Sequence, residues 1–354
     1  MDQASPLRQA RRLAAVRGRP SLHGSGAVLA GLAVLVVVAC LVNLNLGSFG
    51  LSPLEVLRTL IGQGTDYSEL VVFQFRMPRI VVALLVGAGL AVSGGVLQTI
   101  VRNGLADPGL LGINAGASLG IVAYFALGWR AYSLALPNSP YLFTIVAFMG
   151  GSLAALVIFL LALKKSSITP SRLILTGVAL GFGMGAVQLL LALRMDPDLY
   201  TIALIRLTGS LVGVTWTSVL ALLPWVALLV PFAVYKARVL NVLNLGDVTA
   251  TGLGIALEGE RRLLIATAVA LASACVAVGG GIAFVGLIGP HIARRLVGPR
   301  HQVMLPTAVL AGMALLIVAD TLARNLLPAE LPVGVVVAII GAPYFIYLLM
   351  KTRG

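Results

Sequence analysis

Hydrophobic positions along this chain fall in long continuous blocks, not in alternation and not in one-sided stripes. Gly26 to Leu46, Ile80 to Val101, Tyr141 to Leu163 and Leu173 to Leu193 are examples, each bounded by charges, Pro or Gly. At about 1.5 Å rise per residue, Ile80 to Val101 spans the roughly 30 Å hydrocarbon layer of a bilayer. Backbone groups in lipid find no outside partner, so these blocks are predicted to be helices. Transmembrane strands need alternating segments of roughly ten residues, and these runs of Leu, Val, Ala and Gly do not alternate. The pattern predicts ten spans, near 27–46, 79–101, 109–128, 141–163, 172–193, 213–235, 263–280, 283–297, 304–324 and 334–350. The run Leu263 to Ala293 has no formal charge apart from His291 and is too long for one typical crossing. Gly279-Gly280-Gly281 offers a place to turn back, which predicts two short helices. One long tilted helix is the alternative, and it would reverse the orientation of everything after it.

Composition agrees with this pattern. The 354 residues are 59% hydrophobic and 10% charged, against roughly a quarter charged in a soluble domain. The chain therefore reads as an all-α polytopic membrane protein. A basic tail, residues 1–26, precedes a single transmembrane domain, residues 27–354. The apolar run from Ala27 lacks a small-x-small cleavage site, so it reads as a retained first helix and not a signal peptide.

Charge placement gives an orientation. With the N-terminus cytoplasmic, ten spans put 18 of the 25 basic residues inside and leave Arg58, Arg76, Arg79, Arg130, Arg194, Arg206 and Arg324 outside. This is the asymmetry of the positive-inside rule, and it places both termini in the cytoplasm. The net charge of +13 is spread over a tail and short loops, which suits topology and anionic lipid and not nucleic acid.

Candidate chemistry is sparse. Cys40 and Cys275 lie inside apolar spans, and His23, His291 and His301 share no ligand spacing, so neither a metal nor another cofactor is indicated. No phosphate loop, zinc-protease helix or nucleophile elbow is present. The expectation is a transport protein and not an enzyme, with energy for uphill movement supplied by a partner or an ion gradient. Asp320 is the one acidic residue well within a span. Arg324 lies four residues on, so a local ion pair on one helical face is expected in preference to a proton relay.

Polar and glycine markers then carry a resemblance. Arg76-Met77-Pro78-Arg79 leads into a helix with Gly87-Ala88-Gly89 and Ser93-Gly94-Gly95. After it come the elbow Arg102-Asn103-Gly104-Leu105-Ala106-Asp107-Pro108-Gly109 and Leu111-Gly112-Ile113-Asn114-Ala115-Gly116-Ala117. Later come Leu245-Gly246-Asp247, the run Gly279-Gly280-Gly281-Ile282-Ala283-Phe284-Val285-Gly286-Leu287-Ile288-Gly289-Pro290-His291, and Glu330-Leu331-Pro332-Val333-Gly334. From about Leu51 onward the chain resembles FecCD-type permeases, the membrane subunits of ABC importers for iron-siderophores, haem and cobalamin.

The resemblance implies a type II ABC importer permease fold with ten helices. Its implied partners are two cytoplasmic ATPase subunits, a second permease subunit and an extracytoplasmic binding protein. An iron-siderophore is the implied substrate, with haem or cobalamin as alternatives. It also implies roles. Arg76, Arg79 and Arg324 would dock the binding protein, and Asn103 and Leu105 of the elbow, with Ser171, would form the cytoplasmic gate. Gly177, Gly181, Met184, Gly185 and Gln188 would line the path. The longest inner loop, residues 236–262, mixes small and apolar residues with few charges, as suits a pair of short helices on another protein. There Leu243, Leu245, Gly246, Asp247, Ala250, Leu253 and Gly254 would contact the ATPase. Gly104 and Pro170 depart from the family pattern at the gate. A secondary carrier or passive channel is the rival from another class, distinguished by transport without an ATPase.

Overall fold

Each of the ten apolar blocks carries a helix in the structure, a computed structural model that describes residues 22–47, 50–109, 112–128, 140–164, 167–168, 170–195, 201, 203–204, 207–327 and 329–352. In chain order the helices are α1 (Leu22–Asn45), α2 (Pro53–Leu60), α3 (Asp66–Val101), α4 (Ile113–Gly128), α5 (Pro140–Ala162), α6 (Pro170–Ala192) and α7 (Trp216–Tyr235). They continue with α8 (Ala237–Asn244), α9 (Asp247–Gly252), α10 (Leu257–Gly279), α11 (Val285–Val297), α12 (His301–Asn325) and α13 (Val333–Thr352). A two-residue antiparallel ribbon, β1 (Leu163–Lys164) with β2 (Ser167–Ile168), joins α5 to α6.

Seven helices, α1, α3, α5, α6, α7, α10 and α12, are long and apolar enough to cross a bilayer among the described residues. α4 and α13 are shorter apolar helices. α11 has 13 residues and is about 20 Å long, short of a full crossing. Ten helices therefore stand where the sequence predicts them, but fewer than ten are of full crossing length.

Two predicted boundaries move. The first predicted span starts at 27, and the helix that carries it, α1, begins a turn earlier at Leu22; residues 1–21 lie outside the described ones. The second span, expected from 79, starts at Asp66 behind a Thr65–Ser68 capping box. It passes through Leu70–Arg76 as a π segment before reaching Pro78. Proline has no N–H to give the preceding turn, and a widened turn accommodates the loss. Trp216 Nε1 donates to one carbonyl of that turn, Phe73 O, at 2.8 Å. Just before it, α2 opens with a box in which the Ser52 backbone N–H donates to Glu55 at 2.7 Å. This bond and the Ser52 hydroxyl hold the Glu55 carboxyl below its usual range.

α3 is the buried axis of the bundle, with 83% of its apolar window inside. It runs antiparallel to α10: Val86 lies beside Gly279, Gly89 beside Cys275, and Ser93 Oγ donates to Ala268 O at 2.6 Å. α12 is antiparallel as well, with Gly87 against Gly312 and Arg79 paired with Asp320. α11 is parallel to α3, with Gly94 against Gly286 and Gly95 beside Pro290. A β-carbon at Gly94 would run into the Gly286 backbone, so glycine is required for this approach. Lipid gives helices no hydrophobic reason to associate, and close backbone contact takes over that role. A bond such as Ser93 to Ala268 adds roughly 0.6 kcal/mol.

The same neighbours fix the turn between α10 and α11. α10 ends beside Val86 and Gly286 of α11 lies beside Leu90, so the turn sits about 10 Å in from the level of Arg79. α10 and α11 therefore form a helical hairpin that returns to the end it started from. The single long helix does not occur, and the parity of later helices is as the two-helix pattern predicts. Gly280 takes φ 74 in the turn, and Phe284 is left-handed at φ 67 where α11 begins. The space beyond the turn is occupied by the chain before α7 and the start of α13, where Gly334 N donates to Gly209 O at 2.8 Å.

Candidate functional site

The elbow links two distant parts of the bundle. Arg102 ends α3 in a left-handed conformation, φ 52, which turns its side chain toward the α8–α9 loop. Its Nε and Nη2 donate to Leu243 O at 3.3 and 3.2 Å, and Nη2 also pairs with Asp247. Asp247 accepts in turn from Arg261 at the start of α10, 2.8 Å away. Further on, Asn103 Oδ1 accepts from Leu105 N at 2.9 Å in a tight Asx turn. Leu105 packs with Leu287 and Ile288 of α11 and Leu348 of α13. Asp107 is buried, accepts from Gly109 N at 2.8 Å, and lies beside Gly286 in the first turn of α11. Over eight residues the elbow climbs from the loop at the bundle's end to the first turn of α11.

The loop itself has an inner and an outer face. Ala237, Leu240 and Leu243 of α8 and Ala250 of α9 are buried. Leu245, Val248 and Leu253 are exposed, Val248 at 90%. Gly246 at φ 118 and Gly254 at φ 79 make the two turns, conformations open to glycine and strained for other residues. Of the predicted contact residues, Leu243 and Ala250 are thus anchors, while Leu245 and Leu253 face outward. Val248, absent from the predicted set, is the most exposed apolar residue of the loop. Its position between Leu245 and Leu253, off the Leu240–Leu243–Ala250 face, was the available signal.

The three predicted docking arginines gather at the opposite end, but two of them are buried. Arg76 is 1% exposed and donates to Leu44 O at 2.5 Å. Arg79 is paired with Asp320 at 2.7 Å and with Glu330. Asp320 is fully buried, and Asn43 Nδ2 donates to it at 3.0 Å and to Thr321 Oγ1 at 2.8 Å. The partner of Asp320 is therefore Arg79 on a different helix, in place of the expected neighbour Arg324. Arg324 is half-buried beside Asn43, with Nη1 donating to Oδ1 at 3.4 Å. Asn43, fully buried, is the member of this network that sequence reasoning missed; an asparagine inside an apolar span was the signal.

The predicted path residues divide along α6. Gly177 is buried beside Gly112, and Met184 also reaches Gly112. Met184 lines an apolar cleft of about 350 Å³ with Gly116, Leu119, Gly150 and Leu180. Gly181 is half-buried, Gly185 is exposed and Gln188 half-buried. Ser171 falls in the first turn of α6, which begins at Pro170. The start of the α4 segment, three residues past the elbow, thus meets α6 at Gly112.

Among the described residues, apolar helices long enough to cross a bilayer surround a buried glycine-rich axis, with an exposed apolar loop at one end, the build of a polytopic membrane protein. The FecCD transport family matches residues 35–351, and the chain belongs to that family. It is 49% identical to the iron(3+)-hydroxamate import system permease protein FhuG of Bacillus subtilis over 92% of this chain and 97% of that one. It is 42% identical to the Fe(3+) dicitrate transport system permease protein FecD of Escherichia coli, over 80% and 86%. Among solved structures, a metal-chelate type ABC transporter in an inward-facing conformation superposes with a TM-score of 0.78 at 32% identity. That alignment covers 92% of this chain and 99% of the other.

Proposed function

We propose that this chain is the membrane permease of an ATP-driven importer that carries an iron(III)-siderophore across the bacterial cytoplasmic membrane. The observation that carries the reading is the near end-to-end similarity to the permease of an iron(3+)-hydroxamate import system. The α8–α9 loop is the contact for a cytoplasmic ATPase, with Leu245, Val248 and Leu253 as its exposed apolar surface. That assignment puts the Arg102 end, with Arg261, Arg262, Arg294, Arg295 and Arg300, in the cytoplasm, in agreement with the positive-inside rule. Both termini are cytoplasmic in this orientation.

The elbow is the gate element. One end answers to the loop through Arg102, and the other abuts α11 through Leu105 and Asp107. α6, with only 6% of its apolar window buried, faces the second permease subunit and the path between the two subunits. At the outer end, Arg324 meets a carboxylate of the binding protein first. Arg79 joins when a second carboxylate takes the place of Glu330, whose side chain is 31% exposed.

The reading is tested by removing the chain from cells that take up a labelled ferric hydroxamate. Uptake is expected to fall to background and to return with the wild-type chain; undiminished uptake would contradict it.

A further inference from the structure

His301, the first residue of α12, is 2% exposed and lies between the α8–α9 loop and the last turn of α3. Its Nδ1 is 2.7 Å from Asn241 Oδ1, and its Nε2 is 2.7 Å from Thr99 Oγ1. The same Asn241 oxygen accepts from the His301 backbone N at 3.0 Å. Asn241 sits on α8, so this short helix supplies a cap for α12, whose own preceding residue, Arg300, makes no side-chain cap. Asn241 Nδ2 donates to Gln302 Oε1 at 2.8 Å, which sets the amide so that its oxygen faces the ring. An amide oxygen only accepts, so Nδ1 carries the ring proton, and Nε2 of the neutral ring shares the single Thr99 hydroxyl proton with Gly95 O, 2.8 Å from Thr99 Oγ1. Thr99 stands three residues before the elbow's first residue, Arg102.

Arg102 also reaches α8, donating to Leu243 O at 3.3 and 3.2 Å; otherwise α8 holds the bundle through its apolar contacts at Leu240 and Leu243. Apolar burial is not directional, so those contacts permit α8 to slide or rotate. Hydrogen bonds weaken steeply away from their preferred angles, so the chain from Asn241 through His301 to Thr99 fixes the register of α8 against α3. The alternative link from Arg102 to Asp247 is half-exposed, with side chains 38% and 47% accessible, and such pairs contribute little and are screened by salt. The histidine route is buried.

We propose that His301 is a positioning residue for transport. It transmits displacement of α8 to the last turn of α3, and so to the elbow, through Asn241 and Thr99. The proposal rests on the reading of α8–α9 as the ATPase contact.

The test uses the whole importer, this chain with its ATPase, second permease and binding protein, in proteoliposomes. ATP hydrolysis and ferric hydroxamate uptake are measured in the same vesicles. Thr99→Val, which has nearly the same shape, and His301→Leu are each expected to lower uptake per ATP by about tenfold, with hydrolysis within about twofold of wild type. Thr99→Val combined with His301→Leu is expected to be no worse than His301→Leu alone, because both interrupt one route. His301→Gln, which keeps an amide near the Nε2 position, is expected to recover part of the loss. Unchanged uptake per ATP in assembled Thr99→Val complexes would overturn the proposal, as would a parallel fall of uptake and hydrolysis. If His301→Leu fails to assemble, the Thr99→Val arm decides. Wild-type vesicles that hydrolyse ATP without uptake would instead overturn the functional reading beneath it.

Discussion

Arg79 and Asp320, 241 residues apart in sequence, are joined across α3 and α12 by two hydrogen bonds to one carboxylate oxygen, Nε at 2.9 Å and Nη2 at 2.7 Å. Asp320 is fully buried, so removing one partner leaves a charge with no water to replace it. Asp320→Asn or Arg79→Ala is expected to destabilise the subunit by about 3–5 kcal/mol. Thermal unfolding in detergent and folded yield from membranes measure this. A variant as stable as wild type would show that the pair does not hold the two helices.

Glu330 is the exposed member of that network, so its effect differs. Glu330→Gln is expected to change stability by less than about 1 kcal/mol. The same change frees Arg79, and affinity for the binding protein is expected to rise about fivefold, read by titration against the reconstituted permease. Weaker binding would show that Glu330 contributes directly to the docking surface.

Asp247 receives both Arg102 and Arg261. Asp247→Ala is therefore expected to reduce uptake per ATP more than Arg102→Ala, with both subunits inserted normally. The loss with Arg102→Ala is expected to deepen at low salt, where the wild-type pair is strongest. Uptake and hydrolysis measured together at two ionic strengths check this.

Val248 and Leu253 project from the loop and touch little of their own chain. Val248→Asp or Leu253→Asp is expected to lower co-purification of the ATPase by at least about tenfold while membrane insertion stays normal. Leu243→Asp, by contrast, buries a charge and is expected to reduce the folded yield itself.

Much of this architecture is legible in the sequence because lipid narrows the choices. Apolar blocks locate the helices, the Gly279 triplet locates the turn between α10 and α11, and Gly246 and Gly254 mark turns that need positive φ. The start of α3 was hidden because Pro78 reads as a break, whereas a π segment carries the helix through it. The Arg79–Asp320 pair was hidden because local spacing offers Arg324, and only the antiparallel packing of α3 on α12 brings Arg79 alongside. Asn43, Asn241 and Thr99 carry no motif; their roles exist only once distant helices meet. Val285–Val297 reads as a span from its apolarity, but its depth depends on where α10 ends.

The proposed function makes this chain the permease of an ATP-driven iron-siderophore importer. Reconstitution with its ATPase, second permease and binding protein, followed by uptake of labelled ferric hydroxamate, tests it most directly. Accumulation that requires ATP, and that is lost with a hydrolysis-deficient ATPase, is the predicted result. Uptake by the membrane subunit alone, or uptake driven by an ion gradient without ATP, would contradict it.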